Sequence, residues 1–111
     1  MEPTRREESE RQRVARALAE AGFCLPGSVA VRTYRCGKSN CVCHKSDDRL
    51  HGPYIQWTRS VEGHTEHRRL SKEQYDDYRP LFEEAQRLKG QLDRIEQITL
   101  AIVARDARWR D

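Results

Sequence analysis

The sequence predicts an α+β chain: a small zinc-stapled antiparallel sheet of three strands, with a short helix before it and a long helix after it. Three observations carry that expectation. Cys36, Cys41, Cys43 and His51 cluster in mid-chain, period-two segments flank a Glu62-Gly63 turn, and apolar residues recur at helical spacing from Leu81 to Ile102. With 111 residues, 36% of them hydrophobic and 35% charged, the chain is one small domain whose core is too limited to hold the fold unaided. A staple is therefore expected in addition to packing.

The first segment, 1–24, opens on Thr4-Arg5-Arg6-Glu7, which has the form of a capping box. Val14, Leu18 and Ala21 then recur at helical spacing up to Gly22, which predicts a helix from about 5 to 21. Its first ten residues carry almost nothing to bury, so its start is expected to be ordered only against a partner. Leu25-Pro26-Gly27 breaks the chain, and alternation from Val29 to Thr33 predicts a first strand that ends at Cys36. The loop 37–50 is rich in Gly, Ser, Asn, Lys and Asp, and its composition cannot hold it by packing.

Pro53 to Val61 reads as a second strand and Thr65 to Leu70 as a third, joined by Glu62-Gly63. That turn sets a register in which Val61 faces His64, Arg59 faces Glu66, Trp57 faces Arg68 and Ile55 faces Leu70, and this is the side expected to be buried. Tyr54, Gln56, Thr58, Ser60, Thr65, His67 and Arg69 then form a polar face open to recognition. The sheet segment as a whole spans 25–71.

Ser71-Lys72-Glu73-Gln74 is a second capping-box sequence and predicts a helix directly after the hairpin, filling 72–108. Pro80 predicts either a break near Arg79 or a kink. From there Leu81, Ala85, Leu88, Leu92, Ile95, Thr99 and Ile102 step by four and three, a heptad seam weakened only at Gly90. Two uses of that seam are equally open: packing on the sheet and first helix, or a coiled-coil homodimer through Leu81, Leu88, Leu92, Ile95 and Ile102. Ile98, Leu100 and Val103 add apolar surface beyond it.

No apolar run of about 18 residues and no hydrophobic leader is present, which predicts a cytoplasmic protein with no membrane partner. In that reducing compartment clustered thiols point to metal rather than disulfides. Zn²⁺ takes four soft or borderline ligands in a tetrahedron, and Gly37 lets the chain fold tightly after Cys36. Cys41 and Cys43, on one side of an extended segment, join Cys36 while Val42 points away. The fourth ligand is open between His51, His44 and Cys24; His51 is favoured because the spacer after Cys43 lets it return at the entry to the second strand. Motifs of zinc hydrolases and deaminases are missing, and clustered thiols bind metal more often than they act as nucleophiles, so the protein is not expected to be an enzyme.

Charge is uneven along the chain. Residues 1–27 carry five basic and five acidic side chains, 28–70 eight and four, and 71–111 eight and nine, within a net charge of +3. The basic middle predicts nucleic-acid binding, DNA before RNA, through Arg32, Arg35, Lys38, Gln56, Thr58, Arg59, His67, Arg68 and Arg69. Tyr34 and Tyr54 offer stacking platforms for unpaired bases. A protein-interaction adaptor or inhibitor working through the carboxy-terminal helix is the alternative, and a homodimer presenting two sheets combines both.

Cys36-Gly37-Lys38-x-x-Cys41-x-Cys43, then His51-Gly52-Pro53-Tyr54, after a Leu25-Pro26-Gly27-Ser28 entry, resembles a small uncharacterised prokaryotic domain family carried near transposases, integrases and other mobile elements. The resemblance covers roughly 25–75; Cys24 and His44 are outside its pattern. It implies a zinc site and a mobile-element setting, with no activity to carry over.

Overall fold

The computed structural model of the protein describes residues 2–109. The elements run α1 (Arg5–Ala19), β1 (Ser28–Tyr34), β2 (His51–Val61), β3 (His64–Leu70) and α2 (Lys72–Ala104), with short 3-10 turns at Val42–His44 and Asp47–Arg49 in the long β1–β2 connection. This is the expected α+β order of short helix, three-stranded antiparallel sheet and long helix. The chain divides into two compact units: a helical one, up to Cys24 and from Glu83 onward, and a sheet unit, Leu25–Phe82.

In the helical unit α1 starts at the predicted capping box: Glu7 N donates to Thr4 Oγ1 at 3.1 Å and Thr4 N to Glu7 Oε1 at 2.8 Å. It ends at Ala19, earlier than the expected 21, because Gly22 N donates instead to Glu84 Oε2 at 2.6 Å. The carboxy-terminal part of α2 runs antiparallel to α1. Arg105 binds both carboxylate oxygens of Glu7 at 2.6 and 2.8 Å, Arg94 reaches Glu10 at 2.6 Å, and Arg87 donates to the Ala17 carbonyl at 3.1 Å. Val14 on α1 and Ile98 on α2 are the buried apolar side chains of this unit among the described residues.

α2 begins at the second capping box, with Gln74 N donating to Ser71 Oγ at 3.0 Å and Ser71 N to Gln74 Oε1 at 2.9 Å. The break near Arg79 that Pro80 allowed is not taken, and the helix continues through it. Of the seam residues, Leu88, Ile95 and Ile102 are half-buried, whereas Leu92 stays 51% exposed. Leu81 falls in the sheet unit, where its carbonyl accepts from Leu25 N at 3.1 Å. No described helix is long and apolar enough to cross a membrane.

The sheet has the order β1-β2-β3, and the β2–β3 register is the one the turn predicts, from Val61 opposite His64 to Ile55 opposite Leu70. Glu62 and Gly63 hold φ of 49° and 83°, the pair of left-handed residues that lets a two-residue turn follow the strand twist. β1 pairs with β2 from Ser28 opposite Thr58 to Arg32 opposite Tyr54, then shifts register so that Tyr34 faces His51.

Parity along the strands sorts the side chains. Val29, Val31, Ile55, Trp57, Arg59, Glu66, Arg68 and Leu70 share one face, and Trp57 and Leu70 are its buried members. Phe82 meets Trp57 edge-on at 5.7 Å between ring centroids. Trp57 Nε1 donates to the Pro26 carbonyl at 2.9 Å. Gly27, at φ +94°, lies so close that a Cβ would sit 2.3 Å from the Thr58 carbonyl oxygen and 2.8 Å from Trp57 Nε1. The Leu25-Pro26-Gly27-Ser28 entry and the strand tryptophan are therefore one lock: glycine permits the approach, and the indole satisfies the carbonyl it exposes.

Candidate metal centre and polar sheet face

Four donors converge at the end of the sheet where β1 leaves and β2 enters. The Sγ atoms of Cys36, Cys41 and Cys43 and a ring nitrogen of His51 all lie within 4.8 Å of one another. Cys36 Sγ is 3.7 Å from Cys43 Sγ, and Cys41 Sγ is 3.4 Å from His51 Nε2. A tetrahedral ion with metal–sulfur bonds of about 2.3 Å holds its thiolates about 3.8 Å apart, and its nitrogen ligand slightly nearer. The donor set and its spacing thus fit a four-coordinate metal.

The loop reaches that geometry differently from the expected extended segment. Val42–His44 is a 3-10 turn, closed by His44 N donating to the Cys41 carbonyl and Lys45 N to the Val42 carbonyl. The expected extended segment is corrected to a turn: Cys41 is extended at its mouth, Cys43 is its wholly buried middle residue, and Val42 between them is exposed. Arg35 fastens the turn from outside, its guanidinium in close contact with both the Cys43 carbonyl and the Asp47 carboxylate. His51 enters on β2, where Tyr34 is its ladder partner.

The other two candidate fourth ligands are placed elsewhere. His44 turns its ring to the Cys36 carbonyl at 2.7 Å from Nε2, and Cys24 is exposed in the helical unit. The thiols differ electrostatically. The Cys43 N–H and the His51 ring, followed by its neighbouring thiols, draw the Cys41 thiol down to about 6, which favours the thiolate a metal requires. Burial pushes the Cys43 thiol up, so it surrenders its proton only to a strong competitor such as a cation.

Beside this centre lies the polar face. Arg32, Gln56, Thr58, His67 and Arg69 share it with Tyr34 and Tyr54. Thr58 Oγ1 and His67 Nδ1 are 3.0 Å apart. Arg69 sits over the Tyr54 ring at 4.1 Å and over that of Tyr34 at 5.5 Å, while Tyr34 stacks on His51 with centroids 5.2 Å apart. Among the described residues neither Arg32 nor Arg69 has a carboxylate partner. Arg59 and Arg68 are on the opposite face, both paired to Glu66, at 3.0 and 3.6 Å. Arg59, then Arg68, holds the Glu66 carboxyl below its ordinary range. Arg35 and Lys38 belong to the metal loop. The nine polar residues proposed from sequence therefore divide among two faces and a loop.

That opposite face also bears an open cleft of about 570 Å³ over Val29, Val31, Ile55 and Leu70, walled by Lys72 and Tyr75. Sequence reasoning did not single it out; Val31, 70% exposed on an edge strand, is its only visible sign.

A sequence model for a domain of unknown function, DUF6788, matches residues 4–80. The match takes in α1, the whole sheet and all four clustered donors, and it stops before the seam residues begin at Leu81. No curated protein and no solved structure matches the chain significantly.

Proposed function

The chain belongs to the DUF6788 family, and from that premise we propose that it is a zinc-stapled, non-enzymatic module that binds nucleic acid, DNA in the first instance, through its polar sheet face. Zinc is favoured as the ion because three thiolates and an imidazole suit it, and because four protein ligands complete its tetrahedron. A complete tetrahedron leaves no open position for a substrate, which is why the role assigned to the metal is structural.

The observation that carries the reading is the single face that presents Arg32 and Arg69, free of carboxylates, with Gln56, Thr58, His67 and two tyrosines. Cations with no carboxylate partner among the described residues are available to phosphates, and the amide and guanidinium groups match base edges. Arg59 and Arg68 contribute less than their charge implies, since Glu66 neutralises one of them.

The test is fluorescence anisotropy of the zinc-loaded protein with random duplex and single-stranded DNA across a salt series. Binding that weakens steeply with salt supports the proposal; no binding at low salt overturns it. A role as an accessory factor of a mobile element would follow from a specific site found in such DNA.

A second reading, an interaction adaptor or homodimer through α2, has its own observation: Leu92 and Leu100 are 51% and 50% exposed on that helix. Sedimentation equilibrium of the wild type and Leu92→Asp separates it, because a monomer in both cases removes the dimer.

A further inference from the structure

The face holds one arginine whose surroundings differ from those of every other cation on it. Arg69 is opposite Gln56 on the β2–β3 ladder, and its guanidinium is stacked over Tyr54 at 4.1 Å and over Tyr34 at 5.5 Å. Tyr34 and Tyr54 meet edge to face at 5.8 Å. Tyr34 stacks in turn on His51, one of the four converging donors. A chain of ring contacts thus runs from the metal cluster to the guanidinium.

We propose that Arg69 reads the Hoogsteen edge of guanine, and that Tyr54, Tyr34 and the His51 ring are its positioning stack. The inference rests on the nucleic-acid reading and adds to it the base recognised. A free arginine side chain loses much rotamer freedom on binding, whereas one already flattened on a ring keeps its fork of N–H donors aimed outward. On the Hoogsteen edge guanine alone among the bases offers two adjacent acceptors, O6 and N7, that match such a fork. Cation–π contact leaves the N–H edge of the guanidinium unoccupied, and no carboxylate competes for it among the described residues.

The stack also gives the metal a second task. An ion on His51 fixes the plane of the imidazole; that plane fixes Tyr34, and Tyr34 with Tyr54 fixes Arg69. Metal binding and base preference are then coupled through the ring stack.

The experiment uses the full zinc-loaded chain and guanine-containing DNA, the same DNA with 7-deazaguanine, and an A·T-only DNA of equal length, each as duplex and as single strand. Anisotropy at fixed salt is expected to show about tenfold or greater preference for guanine. That preference falls with 7-deazaguanine, which lacks the N7 acceptor. Arg69→Met is expected to abolish the preference and to weaken salt-dependent binding without removing it. Tyr34→Leu is expected to weaken the preference at unchanged zinc content, measured by metal analysis, so that a folding or metal defect is not mistaken for lost positioning. Equal affinity for all three DNAs, or a preference that survives Arg69→Met, overturns the inference and leaves nucleic-acid binding standing. No binding to any of them at low salt overturns both.

Discussion

The helical unit and the sheet unit solve the same shortage of core in different ways. The helical unit buries Val14 and Ile98 and adds long-range contacts made by charged side chains at its surface, Glu7 with Arg105 and Glu10 with Arg94. The sheet unit buries Trp57, Leu70 and Cys43, and one of those three belongs to the cluster that could hold a metal ion. Surface ion pairs contribute little and are screened by salt, whereas a structural metal site supplies folding free energy outright. The two units should therefore respond to different reagents, although α2 contributes residues to both.

Chelation is the strongest way to break that comparison. Structural zinc contributes about 10 kcal/mol or more in small domains, comparable to their whole stability. Removing it, or making Cys43→Ser, is expected to unfold the sheet unit. Trp57 emission should then shift to the red and the β-sheet signal should disappear, with most of the helical circular dichroism retained. Loss of helix and sheet in one transition would show that the two units are not independently held.

Next in size is Gly27→Ala. The new methyl would meet the Thr58 carbonyl at 2.3 Å at a backbone φ of +94°, and the expected cost is about 2 to 4 kcal/mol. It is read as a lower urea midpoint for Trp57 fluorescence with zinc still bound. Ile98→Ala is expected to cost about 2 kcal/mol, at the low end for a buried isoleucine in a unit with so few buried side chains. The change should appear in helical circular dichroism and leave the zinc-dependent tryptophan signal in place.

The smallest effect is a pH dependence in the helical unit. Arg105, with the Thr4 backbone N–H, holds the Glu7 carboxyl down to about 2, and Arg87, with the Gly22 N–H, does the same for Glu84. A carboxyl lowered in the folded state stabilises at pH above its unfolded value of about 4.3 and loses that contribution as pH falls toward its folded value. The difference in melting temperature between wild type and Glu7→Gln should be present at pH 6 and vanish as pH approaches 2. Moderate salt should shrink it too, whereas the chelation effect should survive salt.

Much of this was legible along the chain because the signals are local. Both capping boxes need only residues three apart. The Glu62-Gly63 turn fixes strand register through its own backbone angles, and with register comes the assignment of each side chain to a face. By that parity Arg59 and Arg68 belong with Trp57, away from Arg69, and reading net charge alone merged two surfaces that the pleat keeps separate. Three thiols within eight residues likewise marked the cluster, with its fourth member left open between His51, His44 and Cys24. The 3-10 turn at Val42–His44 was not legible, since it is closed by backbone hydrogen bonds from His44 and Lys45 that the spacing of the thiols does not specify.

What the sequence alone determined, then, is the order of elements, the hairpin register and the cluster of three thiols, each set by short-range geometry or by the chemistry of the residue type; that His51 joins them came from the structure. Tertiary structure decided the rest. It spends Arg35 on the Cys43 carbonyl, closes Gly27 against Thr58 under the Trp57 indole, leaves Leu88, Ile95 and Ile102 of the seam half-buried, and stacks Arg69 on Tyr54 and Tyr34, with Tyr34 in turn on His51. These contacts join residues far apart in the chain, and which partner wins depends on packing that no local pattern encodes.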